Sequence, residues 1–318
     1  MNKTMGLVLF LMICLAGCAA HARQVPPTDV PTPSTEPVEP PTASLTAIPV
    51  VMPSLVPGAI PDVRLPPERW QEWPVVPIIR PEMKALFQSG LQAGNNPAAF
   101  IKIGDGEIST VWFLTQYDLG AAFQNLGPYS GLEGIIKHFS GSYGRIGTAA
   151  GRGYNTDIIL GLVPGGAVDC HPGESHLGCE VRTTRPSFAI LSLGTNQVWQ
   201  PEVFEPGMRQ IIEQLIKAKV VPILSTKGDN LEGDNRINWI IARLAYEYDL
   251  PLWNFWLAIQ PLPNHGMQAD REHLTLAPGK TAYSDFNDPT NFQYAWTWRN
   301  LTALQVLDAV YQAVSSQP

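Results

Sequence analysis

Four apolar runs alternate along the chain with helical patterns, and this alternation limits the folds that the chain can adopt. The apolar runs are residues 98–105, 187–194, 220–227 and 250–256. Helical periodicity or helix-start signals mark residues 81–94, 131–139, 201–219, 237–248 and 302–314. Continuously apolar strands between helices are typical of a parallel sheet covered on both faces. We therefore predict an α/β fold, a three-layer α/β/α sandwich with a central parallel sheet.

Ligands of open parallel sheets bind beyond the carboxyl ends of the strands. The residues that matter for function should therefore follow the apolar runs. They are Gly104 to Gly106, Gly194 to Asn196, and the loops after Lys227 and Trp256.

A shift in composition divides the chain. Thirteen of the 30 prolines lie between Pro26 and Pro67, whereas all nine tryptophans lie at or beyond Trp70. Residues 18–65 are rich in Pro and Thr and have too few apolar residues for a core. We predict a disordered tether over 18–65 and a folded domain over 66–318.

The N-terminus has the features of a signal peptide over residues 1–17. Lys3 precedes an apolar run, Met5 to Leu15, that is too short for a permanent membrane span. The sequence Leu-Ala-Gly before Cys18 resembles the lipobox of bacterial lipoproteins. That resemblance implies a lipidated Cys18 and an extracytoplasmic domain anchored to the cell membrane, or to an outer membrane if one exists. A plain secretory signal is the alternative.

Cys170 and Cys179 would then face an oxidising compartment, where a disulfide is expected rather than two free thiols. They bracket the loop HPGESHLG, which contains a proline and two glycines. Zinc is disfavoured because no CxxC pair is present. The net charge of −7 argues against nucleic acid as a partner.

Three short motifs follow the predicted strands in a fixed order. They read IGDGEIS at residues 103–109, LSLGTNQ at 191–197 and QADREHLT at 268–275. This order resembles the SGNH (GDSL-type) hydrolases, whose corresponding blocks read Gly-Asp-Ser, Gly-x-Asn-Asp and Asp-x-x-His. The resemblance covers about residues 95–318 and implies ester hydrolysis on an α/β/α fold, without a cofactor or a metal.

Site roles carry over from this resemblance by position. His273 matches the general base, Asp270 the residue that orients it, and Asn196 an oxyanion-hole donor. The block II glycine matches Gly153, with Gly151 as the alternative. Each residue also has a structural interpretation, such as a loop histidine or a turn glycine.

Two positions depart from the family pattern. The nucleophile position is Gly106, and Gln197 stands where the family has aspartate. Ser109 lies one helical turn further on, too far to substitute easily, and a water activated by His273 would be a poorer nucleophile. The chain is thus predicted to be an SGNH-like esterase or glycan deacetylase with weak or lost activity. The alternative is a non-catalytic lipoprotein that binds a glycan or a lipid.

Substrate contacts are predicted from residues near the strand ends. Asp105, Trp112, Trp199 and His265 are the candidates, and an acylated glycan or another ester is the expected ligand. Most other aromatic residues are expected in the core. The GDGE sequence also occurs in some glycosyltransferases of another fold, but the rest of the chain does not support that assignment. The loop 228–236 is rich in Asp and Asn but lacks the spacing of a calcium loop.

Overall fold

The structure is a computed structural model, and it describes residues 65–165 and 169–316. The predicted signal peptide, Cys18 and all of the predicted tether except Leu65 lie outside the described residues. The predictions about them are therefore untested.

Helices and strands alternate through the described domain. The first half contains α1 (Pro81–Gln92), β1 (Asn96–Gly104), α2 (Gly106–Ser109), α3 (Glu133–His138), α4 (Thr156–Leu160) and α5 (His176–Thr184). The second half contains β2 (Pro186–Ser192), α6 (Pro201–Lys217), β3 (Val221–Ser225), α7 (Arg236–Glu247), β4 (Leu252–Trp253), α8 (Phe255–Ile259) and α9 (Ala295–Ser315).

The four strands form one parallel sheet in the order β1-β2-β3-β4. Phe188 of β2 pairs with Phe100 on one side and with Val221 on the other. An isolated parallel bridge joins Ala150 to Gly104 at the end of β1. The segment at Ala150 comes after β1 in the chain, so it occupies the position of the second strand in the doubly wound order 2-1-3-4-5.

Helices cover the sheet on both sides. One group comprises α1, α3, α8 and α9, in which the first three pack against α9. The other group comprises α4, α5, α6 and α7, in which α4 contacts α5 and α6, and α6 contacts α7. All seven residues of β2 are buried between them. The prediction of an α/β/α sandwich with a central parallel sheet is confirmed.

The sequence patterns missed several local features. The fourth strand was predicted over 250–256, but β4 ends at Trp253 because Asn254 caps α8, its side chain accepting a hydrogen bond from the Leu257 N–H. The segment between the cysteines is not all loop, since α5 begins at His176 and contains Cys179. The sequence analysis also did not foresee α2, α4 and α8, which have only four or five residues each.

The disulfide between Cys170 and Cys179 is present, with a Cα–Cα distance of 5.3 Å. It ties the loop before α5 to the first turns of that helix. Glu174 lies close to both sulfur atoms, but a disulfide sulfur is not a thiolate ligand. In the described part of the chain, no helix combines the length and the apolar character needed to cross a membrane.

Candidate active site

The first strand ends at a tight corner. Gly104 has a φ of +153°, and a Cβ there would lie 2.0 Å from the carbonyl oxygen of Ser192, so only glycine fits. Asp105 then caps α2, since its Oδ1 accepts a hydrogen bond from the Glu107 N–H at 3.1 Å. Burial raises the pKa of Asp105 to about 6. Its role as a substrate contact stays a prediction, and the geometry gives it a capping role.

Gly106 is the first residue of α2, and the fold does not require glycine there. A Cβ on Gly106 would meet only the Cγ of Arg152, at 3.9 Å, within ordinary van der Waals contact. The hydroxyl of Ser109 lies 3.5 Å from the Gly106 carbonyl oxygen, on its own helix. The position of the expected nucleophile is therefore open to a larger side chain.

The loop that contains Gly151 and Gly153, predicted as the block II loop, lies beside this corner. The Gly151 N–H donates to the Gly104 carbonyl oxygen at 3.0 Å, which holds the loop against β1. Gly153 has a φ of +78°, and nothing described lies within 4 Å of where its Cβ would be. A Cβ on Gly151 would collide with the ring of Tyr154. Gly153 thus has the open surroundings that a donor to a ligand needs, whereas Gly151 is packed.

The loop after β2 contacts the block II loop. Asn196 is exposed, and its Nδ2 donates to the carbonyl oxygen of Tyr154 at 3.0 Å. Gln197 is buried, and its Oε1 accepts hydrogen bonds from the N–H and the hydroxyl of Thr156, each at 3.0 Å. Gln197 therefore fastens the first residue of α4 through its amide oxygen. One amide hydrogen of Asn196 is used within the protein, which leaves the other for a ligand.

Asp270 and His273 form a hydrogen-bonded pair at the surface. Nδ1 of His273 lies 2.8 Å from Oδ2 of Asp270, and Oδ1 of Asp270 accepts the backbone N–H groups of Glu272 and His273. These hydrogen bonds lower the pKa of Asp270 to about 2. The hydrogen bond with Asp270 raises the pKa of His273 above its usual value. Since Nδ1 is used by Asp270, Nε2 is the nitrogen available to a substrate.

Glu107 is a site residue that the sequence analysis missed. Its side chain is only 17% exposed, and Oε2 lies 3.5 Å from Nη1 of Arg299. Burial, helped by the carboxylates of Asp105 and Asp229, raises the pKa of Glu107 to about 7, although Arg299 and His273 act to lower it. Glu107 and His273 thus interact electrostatically. A carboxyl group with a pKa near 7 is suited to proton transfer.

Arg299 is fully buried in α9. Its Nη2 donates to the hydroxyl of Ser192 at 2.8 Å, but Nε and Nη1 have no hydrogen-bond partner among the described residues. Its guanidinium lies over the rings of Phe113 and Phe255, with centroid distances of 5.1 and 4.7 Å. Cation–π contacts take the place of water around this charge. The sequence signal was an arginine inside an otherwise apolar helix face.

A second buried charge cluster shapes the loop after β3. Nζ of Lys227 lies 2.7 Å from Oδ1 of Asp229 and 2.7 Å from Oε2 of Glu232. Oδ2 of Asp229 accepts the hydroxyl of Thr195 at 2.6 Å, which joins this loop to the loop after β2. The prediction that the loops after the strands lie together at this edge of the sheet agrees with these contacts.

A cavity of about 570 Å³ opens between the loop after β3, α8 and the loop that leads to Asp270. His265 lines it, as do parts of the loop 228–236. Trp112 and Trp199 are not among its lining residues. Trp199 is 71% exposed, and Trp112 is 39% exposed with its ring edge toward Trp296. The cavity is lined by Gly228, Asn230, Asn235, Trp256, Gln260, Asn264, His265, Met267, Gln268, Ala269 and Arg271.

The structure therefore brings most of the predicted residues to one edge of the sheet but does not test their roles. Hydrogen bonds link the block I corner to the block II loop and that loop to Asn196, and an electrostatic interaction links Glu107 in α2 to His273. The two predicted tryptophans, Trp112 and Trp199, are exposed, and neither lines the cavity. An acid and base site can be assembled from the residues present, with the exception of a nucleophile at Gly106.

No protein-family model matches the chain, and no curated protein is similar to it. Solved structures with similar backbones include a protein assigned to the lipolytic G-D-S-L family from Desulfitobacterium hafniense DCB-2, at 13% identity and a TM-score of 0.39 over 66% of this chain and 99% of that chain. Another is a GDSL-like lipase from Bacteroides thetaiotaomicron VPI-5482, at 14% identity and a TM-score of 0.39 over 71% and 97%. A third is the acetyl xylan esterase AlAXEase, at 16% identity and a TM-score of 0.38 over 65% and 97%. Similarities this low do not establish an activity.

Proposed function

We propose that this domain is an SGNH-like hydrolase that acts on acyl esters, with an acylated glycan as its substrate and with water in place of the missing serine. The observation that carries the proposal is the Asp270–His273 pair, hydrogen-bonded at 2.8 Å and open to solvent. A surface histidine held in this way is oriented and made more basic, as a general base requires.

The reaction follows from this geometry. Nε2 of His273 removes a proton from water, whose oxygen attacks the ester carbonyl carbon. The Gly153 N–H and the second amide hydrogen of Asn196 are the donors proposed for the oxyanion. When the carbon–oxygen bond breaks, the imidazolium returns its proton to the leaving alcohol. A water reaction has no acyl-enzyme intermediate, so we expect slow turnover.

The site is proposed to work outside the cell, tethered by a lipid on Cys18 through the segment 18–65. The lipobox-like sequence and the disulfide between Cys170 and Cys179 support this location. Replacement of Cys18 by serine should move the protein from the membrane fraction to the soluble extracytoplasmic fraction. Unchanged membrane association of Cys18→Ser would argue for a different anchor.

A hydrolysis assay tests the activity. Purified protein is expected to hydrolyse p-nitrophenyl acetate slowly, and His273→Ala should abolish this turnover. His171→Ala is the matched control, since this exposed loop histidine lies outside the proposed site and its side chain interacts electrostatically only with Glu174 among the described residues. Turnover that survives in His273→Ala, or no turnover of any acyl substrate by the wild-type protein, would refute the proposed reaction.

A non-catalytic glycan- or lipid-binding role is the second candidate. Gly106 offers no nucleophile, and one Asn196 amide hydrogen is already bound to the Tyr154 carbonyl oxygen. Glycan binding that persists unchanged in His273→Ala, without turnover in either protein, would favour this role.

A further inference from the structure

The cavity next to Asp270 has a charge pattern unlike that of the whole protein. The chain carries a net charge of −7, yet no carboxylate is found among the described residues that line the cavity. Arg271 lines it and is exposed, and its guanidinium forms no ion pair or hydrogen bond with residues 65–165 or 169–316. A cation left unpaired at a cavity wall favours an anionic ligand group, and the planar guanidinium matches a carboxylate.

His265 adds a second nitrogen on the same wall. Its Nδ1 lies 3.0 Å from the carbonyl oxygen of Gln260, to which it donates. Nε2 is therefore the ring nitrogen left for a ligand.

The remaining polar lining consists mainly of amide side chains. Oδ1 of Asn230 accepts the Asn235 N–H at 2.9 Å, and Nε2 of Gln268 donates to the Leu274 carbonyl oxygen at 2.9 Å. These bonds leave Nδ2 of Asn230 as a donor and Oε1 of Gln268 as an acceptor. Neutral donors and acceptors with fixed orientations are suited to hydroxyl groups, which both donate and accept.

Trp256 supplies an aromatic surface to the same cavity. Its ring is half-buried and is held in place by the ring of Trp70, with centroids 5.0 Å apart. An aromatic ring held by packing offers contact area at a low entropic cost. A ring-shaped ligand with hydroxyl groups matches this combination of an aromatic wall and amides.

The backbone around the cavity is strained. Asn235, Asn264, His265 and Arg271 have φ values of 54°, 48°, 52° and 62°, in the left-handed region that non-glycine residues rarely adopt. They are four of the nine such residues in the described part of the chain, and all four line the cavity. Strain of this kind persists where the surrounding structure imposes it, often at binding sites.

We propose that this cavity binds an acidic sugar, a uronic-acid unit of a glycan, with the sugar carboxylate on Arg271, its hydroxyl groups on the amides and its ring face on Trp256. A volume of about 570 Å³ is in the range of small-molecule sites and holds one or two sugar rings. The inference rests on the proposed function in one respect: it names the class of glycan whose ester group would lie beside His273.

Binding is tested with two trisaccharides that differ in one group. Triglucuronate with β-1,4 linkages and cellotriose differ only in the oxidation of C6, so their comparison isolates the carboxylate. Isothermal titration of the purified full-length protein should show tighter binding of triglucuronate by about tenfold or more, as expected for a charge-assisted hydrogen bond. Equal binding of the two sugars, or no binding of either at millimolar concentration, would overturn the proposal.

Two variants locate the site. Arg271→Gln should reduce the affinity for triglucuronate to about the affinity for cellotriose. Asn264→Gly should weaken the binding of both sugars, and the protein should stay folded because glycine relieves the left-handed strain. Lys137→Gln, an exposed charge change on α3, is the matched control and should bind like the wild type. An unchanged preference in Arg271→Gln would overturn the assignment of the carboxylate.

Inorganic phosphate distinguishes a sugar site from a simple anion site. We expect phosphate to bind at least about tenfold more weakly than triglucuronate, since phosphate would make no contact with Trp256 or the amides. Phosphate binding as tight as triglucuronate would overturn the sugar assignment. The binding result is independent of turnover, so triglucuronate binding without ester hydrolysis would refute the proposed reaction while supporting this site.

Discussion

Oε2 of Glu107 lies 3.5 Å from Nη1 of Arg299. This largely buried carboxylate is therefore the counterion of a fully buried guanidinium. The pair joins α2, which begins at the empty nucleophile position, to the long C-terminal helix. Arg299 also holds the hydroxyl of Ser192 at the end of β2. The corner around Gly106 is therefore stabilised by a charge pair in the core.

Removal of Arg299 should be strongly destabilising. Arg299→Met leaves Glu107 without its counterion and should lower the free energy of unfolding by about 3–5 kcal/mol in urea titrations. The double variant Arg299→Met/Glu107→Gln should recover part of this loss, because the uncompensated charge is gone. Arg69→Met removes a solvent-exposed pair with Glu72 and should leave the free energy of unfolding nearly unchanged. Equal stability of the single and double variants would contradict the role of Glu107 as counterion.

Glu107 should make stability depend on pH. Its pKa is about 7 in the folded protein and 4.5 ordinarily, so the folded state binds more protons between these values. The free energy of unfolding should therefore fall as pH rises from about 4.5 to about 7, by on the order of 1–3 kcal/mol. Glu107→Gln should flatten this decline.

Asp105, Asp229, Arg299 and His273 all act on Glu107, and the measurement must separate their effects. Burial also raises the pKa of Asp105, so a smaller slope of the same sign should remain in Glu107→Gln. Glu82→Gln, an exposed change on α1, is the matched control. A slope in Glu107→Gln as steep as in the wild type would contradict the raised pKa.

Gly106→Ser should restore a nucleophile without harm to the fold. A Cβ there meets only the Cγ of Arg152 at 3.9 Å, so the free energy of unfolding should change by less than about 0.5 kcal/mol. Hydrolysis of p-nitrophenyl acetate should rise by about a hundredfold or more if His273 reaches the new hydroxyl.

Two controls sharpen this prediction. Gly106→Ser/His273→Ala should lose the gain, which ties it to the histidine. Gly104→Ser should instead unfold or destabilise the protein by more than about 2 kcal/mol, since its Cβ would lie 2.0 Å from the Ser192 carbonyl oxygen. A Gly106→Ser protein that folds but gains no activity would show that the remaining groups are not arranged for acyl transfer.

Asp270→Asn should lower activity and shift its pH profile. The hydrogen bond with Asp270 raises the pKa of His273, and the base acts in its neutral form, so wild-type activity should rise with pH through that pKa. In Asp270→Asn the midpoint of this rise should move to lower pH, while kcat falls by about a hundredfold or more because the imidazole loses its orientation. Asp234→Asn changes an exposed aspartate paired with Arg236 and should alter neither quantity. A profile that does not move would mean that His273 is not the titrating group.

Reduction of the disulfide between Cys170 and Cys179 should destabilise the domain modestly. The cross-link closes a short loop, and its loss should lower the free energy of unfolding by about 2–3 kcal/mol. Urea titrations of the wild type with and without reductant, compared with Cys170→Ser/Cys179→Ser, measure this effect. No difference between oxidised and reduced protein would mean that the disulfide does not constrain the unfolded chain.

The fold class and the Asp270–His273 pair could be predicted from the sequence because both depend on short-range patterns. Continuous apolar runs between helical patterns mark buried strands, and an Asp-x-x-His spacing brings two side chains together within one turn. The short helices α2, α4 and α8 escaped prediction, since four or five residues carry too little periodicity and their caps decide where they begin.

The sequence by itself determined the order of the four strands and of the longer helices, the edge of the sheet where the candidate site residues lie, and the absence of a serine at Gly106. Only the tertiary structure decided that Arg299 reaches Glu107, and that Arg271 and Trp256 face one cavity. These residues lie far apart in the chain or on different elements, and no local pattern relates them. The packing of α9 and the loops against the sheet brings them together, and burial then sets the pKa of Glu107 and the counterion of Arg299.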